Sequence, residues 1–248
     1  MSIRPLFLFW FAVGLLLMMT VGVPDWLAFS NGLFLVFFAA YALEVERGLG
    51  ESNKTRWGRA AGLGAATFGI EVVGVATGWP FGEYEYTSVL GAAPLGVPLA
   101  IACAWVGVIA NIVIVAEHRS RWLRALFTGL WVLVFDLVLD PVAYARDFWR
   151  WQHEGGFFGV PATNFAAWFA IAFILSLCYP RRETPYPVRR EAVRLLQAML
   201  LMFGLLGLKE GLTVPFYIAA VSVAVAEGVL RLDYVRSKRN VHASVRAL

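Results

Sequence analysis

Eight long apolar runs limit what this chain can become. They fall at about residues 6–23, 26–45, 58–78, 96–116, 123–141, 163–180, 191–208 and 213–231. A bilayer's hydrocarbon core is about 30 Å thick, and a helix crosses it with about 17–25 apolar residues. Lipid offers no partner to a backbone N–H or C=O, so only helices and closed barrels can span it. Barrel strands read as alternating stretches of about ten residues; these runs are longer and do not alternate, which selects helices. Composition agrees. Hydrophobic residues make up 60% of the chain and charged residues 15%, where soluble domains carry about 25% charged, and the mean hydropathy is +0.68. The expected fold is all-α, a polytopic transmembrane helix bundle of about eight spans, with seven plausible; the last two runs, joined by the short turn Lys209-Glu210-Gly211, are alternatively a re-entrant pair. A single integral domain covers residues 1–248, with a basic cytoplasmic tail at 232–248. The first run lacks a small-residue cleavage site before Pro24-Asp25 and is read as a retained helix.

Charge supports the count of spans. Assigning connections alternately to the two sides puts 18 of the 21 lysines and arginines on one side. By the positive-inside rule that side is cytoplasmic, and both termini lie there. The net charge of +4 is thereby accounted for, and no basic face for nucleic acid remains. Cys103 and Cys178 sit singly in apolar runs, which suggests core packing rather than a disulfide or metal framework.

Three acids interrupt this apolar background. Glu71 lies in the third run, and Asp136 and Asp140 lie in WVLVFDLVLDP in the fifth. A charged side chain at mid-membrane costs roughly 2.5–3.5 kcal/mol on insertion scales and normally faces a functional interior. A separation of four residues puts Asp136 and Asp140 on one helix face. The topology brings all three toward the extracytoplasmic side. Two aromatic loops converge there, GWPFGEYEYTSVLG (78–91) and the stretch 140–165 with Tyr144, Asp147, His153 and FWRW. Aromatics at that depth also form interfacial belts, and His153 reads as a solvated loop residue. Asn111 reads as an interhelical hydrogen-bonding residue, and Glu44 and Glu227 as partners of nearby arginines.

Paired buried carboxyls suit proton transfer, one protonated and one ionised. No glycine-rich phosphate loop with lysine is present, and no His/Cys set for a metal. Asp136, Asp140 and Glu71 are therefore the candidate catalytic residues. Tyr84, Tyr86, Trp149 and Trp151 are candidates to wall a developing cation, and Glu83 and Asn164 to orient water. No metal or other cofactor is expected.

The combination PFG-x-Y-x-Y (80–86), LDP (139–141), W-x-W (149–151) and G-x-P-x-x-N-F (159–165), in that order, resembles the membrane carotenoid hydratases of the CruF type, the γ-carotene and bisanhydrobacterioruberin hydratases. The likeness is closest over residues 68–170. It implies addition of water across the terminal C1′–C2′ double bond of a ψ-end carotenoid, giving a tertiary alcohol without a redox cofactor. The implied setting is the cell membrane, with a carotenoid in the bilayer, membrane lipids and other carotenoid biosynthesis enzymes as partners. Two other readings compete. Asp136 and Asp140 look like half of the aspartate-rich site of a magnesium-dependent prenyltransferase, but a second such motif is missing. A proton-coupled transporter or lipid-binding protein could use Glu71 and Asp136 as a relay, and inverted repeats would favour it.

Overall fold

The computed structural model describes residues 2–246, except for the side chains of Asp25 and of residues 236–246. The eight expected spans are eight helices: α1 (Arg4–Met19), α2 (Phe29–Arg47), α3 (Asn53–Thr77), α4 (Leu99–Val115), α5 (Arg121–Ala145), α6 (Ala162–Ser176), α7 (Tyr186–Lys209) and α8 (Thr213–Arg246). Six of these are long and apolar enough to cross a membrane, and α1 and α6 are apolar but shorter. With 15 residues, α6 is about 22 Å long at 1.5 Å per residue. It begins where the run begins but stops at Ser176, where the chain turns through residues 177–179 ahead of Pro180.

Local chemistry sets the helix ends. Ser52 caps α3, its Oγ accepting the Thr55 N–H at 3.1 Å. The helix stops at Gly78, where φ is +74°, a left-handed geometry that favours glycine. α7 and α8 form a hairpin through Glu210–Leu212. α8 does not end near residue 231 but runs on to Arg246, so most of the expected tail continues the helix. The side chains of Arg236, Lys238, Arg239 and Arg246, part of the charge count, lie outside the described residues, as do residues 247 and 248.

α4 is the central helix. Its sequence is apolar on every face, and 13 of its 17 residues are buried, as expected of a helix enclosed on all sides. It packs against α2, α3, α5, α6 and α7. Asn111 is buried on it with Oδ1 unpartnered among the described residues, so the expected interhelical bond is not made by that oxygen. Glu227 pairs with Arg194 and Arg231 as expected. Glu44 instead accepts from Ser2 Oγ and the Ile3 N–H. Cys178 is exposed rather than packed in the core.

The two loops read as irregular contain a small sheet. β1 (Tyr84–Tyr86) pairs antiparallel with β2 (Trp149–Trp151) in the register Tyr84↔Trp151, Glu85↔Arg150 and Tyr86↔Trp149. Side chains alternate across a strand. Tyr84, Trp149 and Trp151 are buried beneath the sheet, Tyr86 is half-buried beside them, and Glu85 and Arg150 are exposed above it. The sheet caps the bundle where α3 and α5 end and α6 begins.

Candidate active site

Glu71 lies in the last two turns of α3 and is buried. Each of its oxygens has a protein donor. Oε1 accepts from Trp105 Nε1 at 2.8 Å, and Oε2 accepts from Tyr86 Oη at 2.9 Å and from Tyr84 Oη. An ionised carboxylate can only accept, and three donors aimed at one carboxyl match that form. Burial, followed by the adjacent Glu71 carboxylate, pushes both phenols well above their ordinary range. They therefore keep their protons and remain donors.

Gly74 makes this approach possible. It lies one turn beyond Glu71 on the same face of α3. A Cβ there would meet Phe81 Cδ2 at 2.7 Å and Tyr84 Oη at 3.1 Å. Without a side chain at 74, the loop lies flat on α3 and Tyr84 reaches the acid. Gly82, at φ +115°, turns the loop against Pro161, and Thr163 Oγ1 donates to the Phe81 carbonyl at 2.9 Å. These contacts tie the PFG turn to the start of α6.

Asp136 and Asp140 are both buried on one face of α5. They converge on Asn164 in the first turn of α6, whose Nδ2 donates to Asp136 Oδ2 at 3.1 Å and to Asp140 Oδ2. The other oxygen of each aspartate, Oδ1, has no hydrogen-bond partner among the described residues, and neither does the indole N–H of Trp149 or of Trp151. The helix N-terminus at Asn164 adds a favourable dipole for negative charge.

These groups surround one end of a cavity of about 220 Å³. Seven of the nine expected site residues are on its wall: Glu71, Tyr84, Tyr86, Asp140, Trp149, Trp151 and Asn164. Asp136 stands behind Asp140 and reaches the cavity only through Asn164 and its neighbour. Glu83 lies apart, half-exposed, with its carboxylate 3.7 Å from His153 Nε2. Two tryptophans not picked out in the sequence complete the wall. Trp105 and Trp168 stack at 4.0 Å between centroids and 25° between planes. The sequence marks neither as polar, because a buried indole N–H shows its need for an acceptor only once that acceptor is in place. Arg146, also on the wall, is held by Glu210 at 2.7 Å.

Away from this polar end the cavity is apolar. It passes Phe34, Met199 and Met202 and reaches α1. There Phe9 and Val13 line it while remaining 64% and 39% exposed, so it opens sideways along α1, on a surface apolar enough to face lipid. Among the described residues, no group of three or more His, Cys, Asp or Glu side chains could hold a metal ion.

Two comparisons bear on the chain. A family model described as "Carotenoid biosynthesis protein" matches residues 30–230. The bisanhydrobacterioruberin hydratase of Haloarcula japonica is 32% identical over 167 residues, covering 63% of this chain and 56% of that protein. The match thus spans little more than half the length of that curated relative. No solved structure matches the chain.

Proposed function

The chain belongs to the carotenoid biosynthesis protein family, and we propose that it is a membrane carotenoid hydratase, adding water across the terminal C1′–C2′ double bond of a ψ-end carotenoid. The observation that carries this reading is the cavity's asymmetry. Acids, phenols and an amide gather at one end, the remainder is apolar, and the opening faces lipid along α1. An extended polyene is about as long as the hydrocarbon core is thick, about 30 Å. A cavity of about 220 Å³ holds its end group, leaving the chain to pass out beside α1 into the bilayer. The hydratase from Haloarcula japonica supports the same class of reaction.

The chemistry follows from which oxygens reach the wall. Two buried carboxyls sharing one neutral donor hold a proton between them, because ionising both at close range is costly while no cation lies beside them. Asp140 is on the wall and delivers that proton to C2′. Asp136, behind it, shares that proton until transfer, and the cation formed at C1′ offsets the charge left on the pair. The electron-rich faces of Tyr84, Tyr86, Trp149 and Trp151 stabilise the tertiary cation at C1′. Glu71, fixed by its three donors, takes a proton from the water that attacks C1′. That proton returns to the aspartate pair at the end of the cycle, so alkene and water give the tertiary alcohol with no redox change. The unpartnered indole N–H groups of Trp149 and Trp151 are available to the water oxygen. Glu83, at its distance from the cavity, acts on the loop with His153 rather than on water.

We place both termini on the cytoplasmic side and the site near the opposite face of the cell membrane, on the strength of the 18 basic residues of 21 on one side. The test is expression in cells that accumulate an acyclic ψ-end carotenoid. The expected product is heavier by one water and, when formed in heavy water, carries one deuterium at C2′. Incorporation of label from dioxygen would overturn the reading in favour of an oxygenase.

A further inference from the structure

At the opposite end of the same helices is a second pocket, of about 480 Å³, built where α3 and α5 begin and α6 ends. Arg59, Arg121 and Arg181 line it, with Glu51 as its single acid. Arg59 is the built-in part. Its side chain is 8% exposed, it is held by Glu46 and Glu51, and its guanidinium lies 4.3 Å from the centroid of the Tyr179 ring. Its Nε has no hydrogen-bond partner among the described residues. Arg124 braces the wall from behind, donating to the carbonyls of Tyr179 and Pro180 at 2.6 Å each. Its charged neighbours Arg121, Arg182 and Arg181 are all of its own sign.

The local charge does not balance. Five arginines (59, 121, 124, 181 and 182) face two glutamates (46 and 51), and Arg121 and Arg181 make no ion pair among the described residues. The positive-inside rule asks only for basic residues in the cytoplasmic connections. It does not ask for a buried guanidinium at the base of a pocket with two exposed arginines at its rim, where like charges repel. Planar guanidiniums match phosphate oxygens two at a time, and basic pockets between spans on this side suit anionic headgroups. Beside the charges the wall turns apolar, with Leu177 and an exposed Cys178. One turn earlier on α6, Ile174 is 59% exposed. That continuation suits an acyl chain and gives a free ion nothing.

We propose that this pocket is a phosphate-binding site that seats the headgroup of an anionic phospholipid, with Arg121 and Arg181 closing on the phosphodiester and Arg59 at its base. The site is separate from the carotenoid cavity, and its test does not depend on the reaction performed there.

The experiment measures thermal unfolding of the full chain in detergent with added phosphatidylglycerol, phosphatidylcholine or inorganic phosphate. Phosphatidylglycerol is expected to raise Tm by several degrees, and phosphatidylcholine is not. The Arg121→Gln/Arg181→Gln pair, both exposed and free of structural ion pairs, should lose that rise. An Arg47→Gln/Arg190→Gln control, which removes equal charge elsewhere on the same side, should keep it. An equal rise with inorganic phosphate alone would overturn the lipid assignment and leave a free-anion site. A rise retained in the Arg121/Arg181 variant, lost equally in the control, or absent from the wild type would overturn the site itself.

Discussion

Trp105 isolates the role of the Glu71 cradle. Its indole donates to Oε1 at 2.8 Å and stacks on Trp168. Trp105→Phe removes the donor while leaving a ring to stack. A hydrogen bond to a charged group contributes about 1.5–3 kcal/mol, so turnover should fall roughly 10- to 100-fold, read as product per unit of folded protein. A loss below twofold would mean that Glu71 has no part in the rate. Asp140→Asn should abolish hydration. Asp136→Asn should leave a measurable residue, because Asp136 reaches the cavity only through its neighbour and Asn164. Glu71, Asp136 and Asp140 were legible from sequence because an acid in an apolar run is costly wherever it lies. Trp105 was not, because a tryptophan is apolar enough to pass as packing, and its polar atom gains meaning only once its acceptor is known.

Between elements, the decisive contact is that of the β1–β2 cap with α3. Gly74→Ala would put a methyl 2.7 Å from Phe81 Cδ2. Overpacking of this kind costs about 1–3 kcal/mol. It should lower Tm and displace Tyr84 from Glu71, reducing activity beyond what the lost stability explains. At the other end of the cavity, Gly14 on α1 lines the wall, and a Cβ there meets nothing within 4 Å. Gly14→Trp should therefore leave Tm unchanged and obstruct passage of the polyene, raising the apparent KM or slowing turnover at low substrate. Undiminished activity would show that entry does not pass α1. The helices were readable because a span needs many apolar residues. The cap was not, because each strand is three residues long and Y-E-Y and W-R-W alternate too briefly to stand out from a loop. Their pairing across some sixty residues carries no local mark.

At the scale of the whole molecule, charge divides the bundle into two ends. The arginine-rich cluster where α3 and α5 begin predicts a response to acid. The hydrogen bond from Arg59 holds the Glu51 carboxyl below its ordinary value. Glu51 then adds stability above the ordinary carboxylate range, and the contribution is lost as pH falls through the depressed value, below about pH 4. Wild-type Tm should drop there more steeply than that of Glu51→Gln. The division into ends was visible in the sequence as clusters of arginine, but the burial of Arg59 and Arg124 was not. A sequence places arginines near helix ends without saying which are enclosed by the neighbouring helices. The opposite end carries the central claim, that Asp140 delivers the proton and Glu71 receives one from water. The most direct measurement is single-turnover hydration in heavy water by the wild type and by Asp140→Asn, both in membranes and with matched Tm. The account predicts one deuterium at C2′ from the wild type and no hydrated carotenoid from the variant. Full hydration by Asp140→Asn, with the same deuterium at C2′, would contradict it.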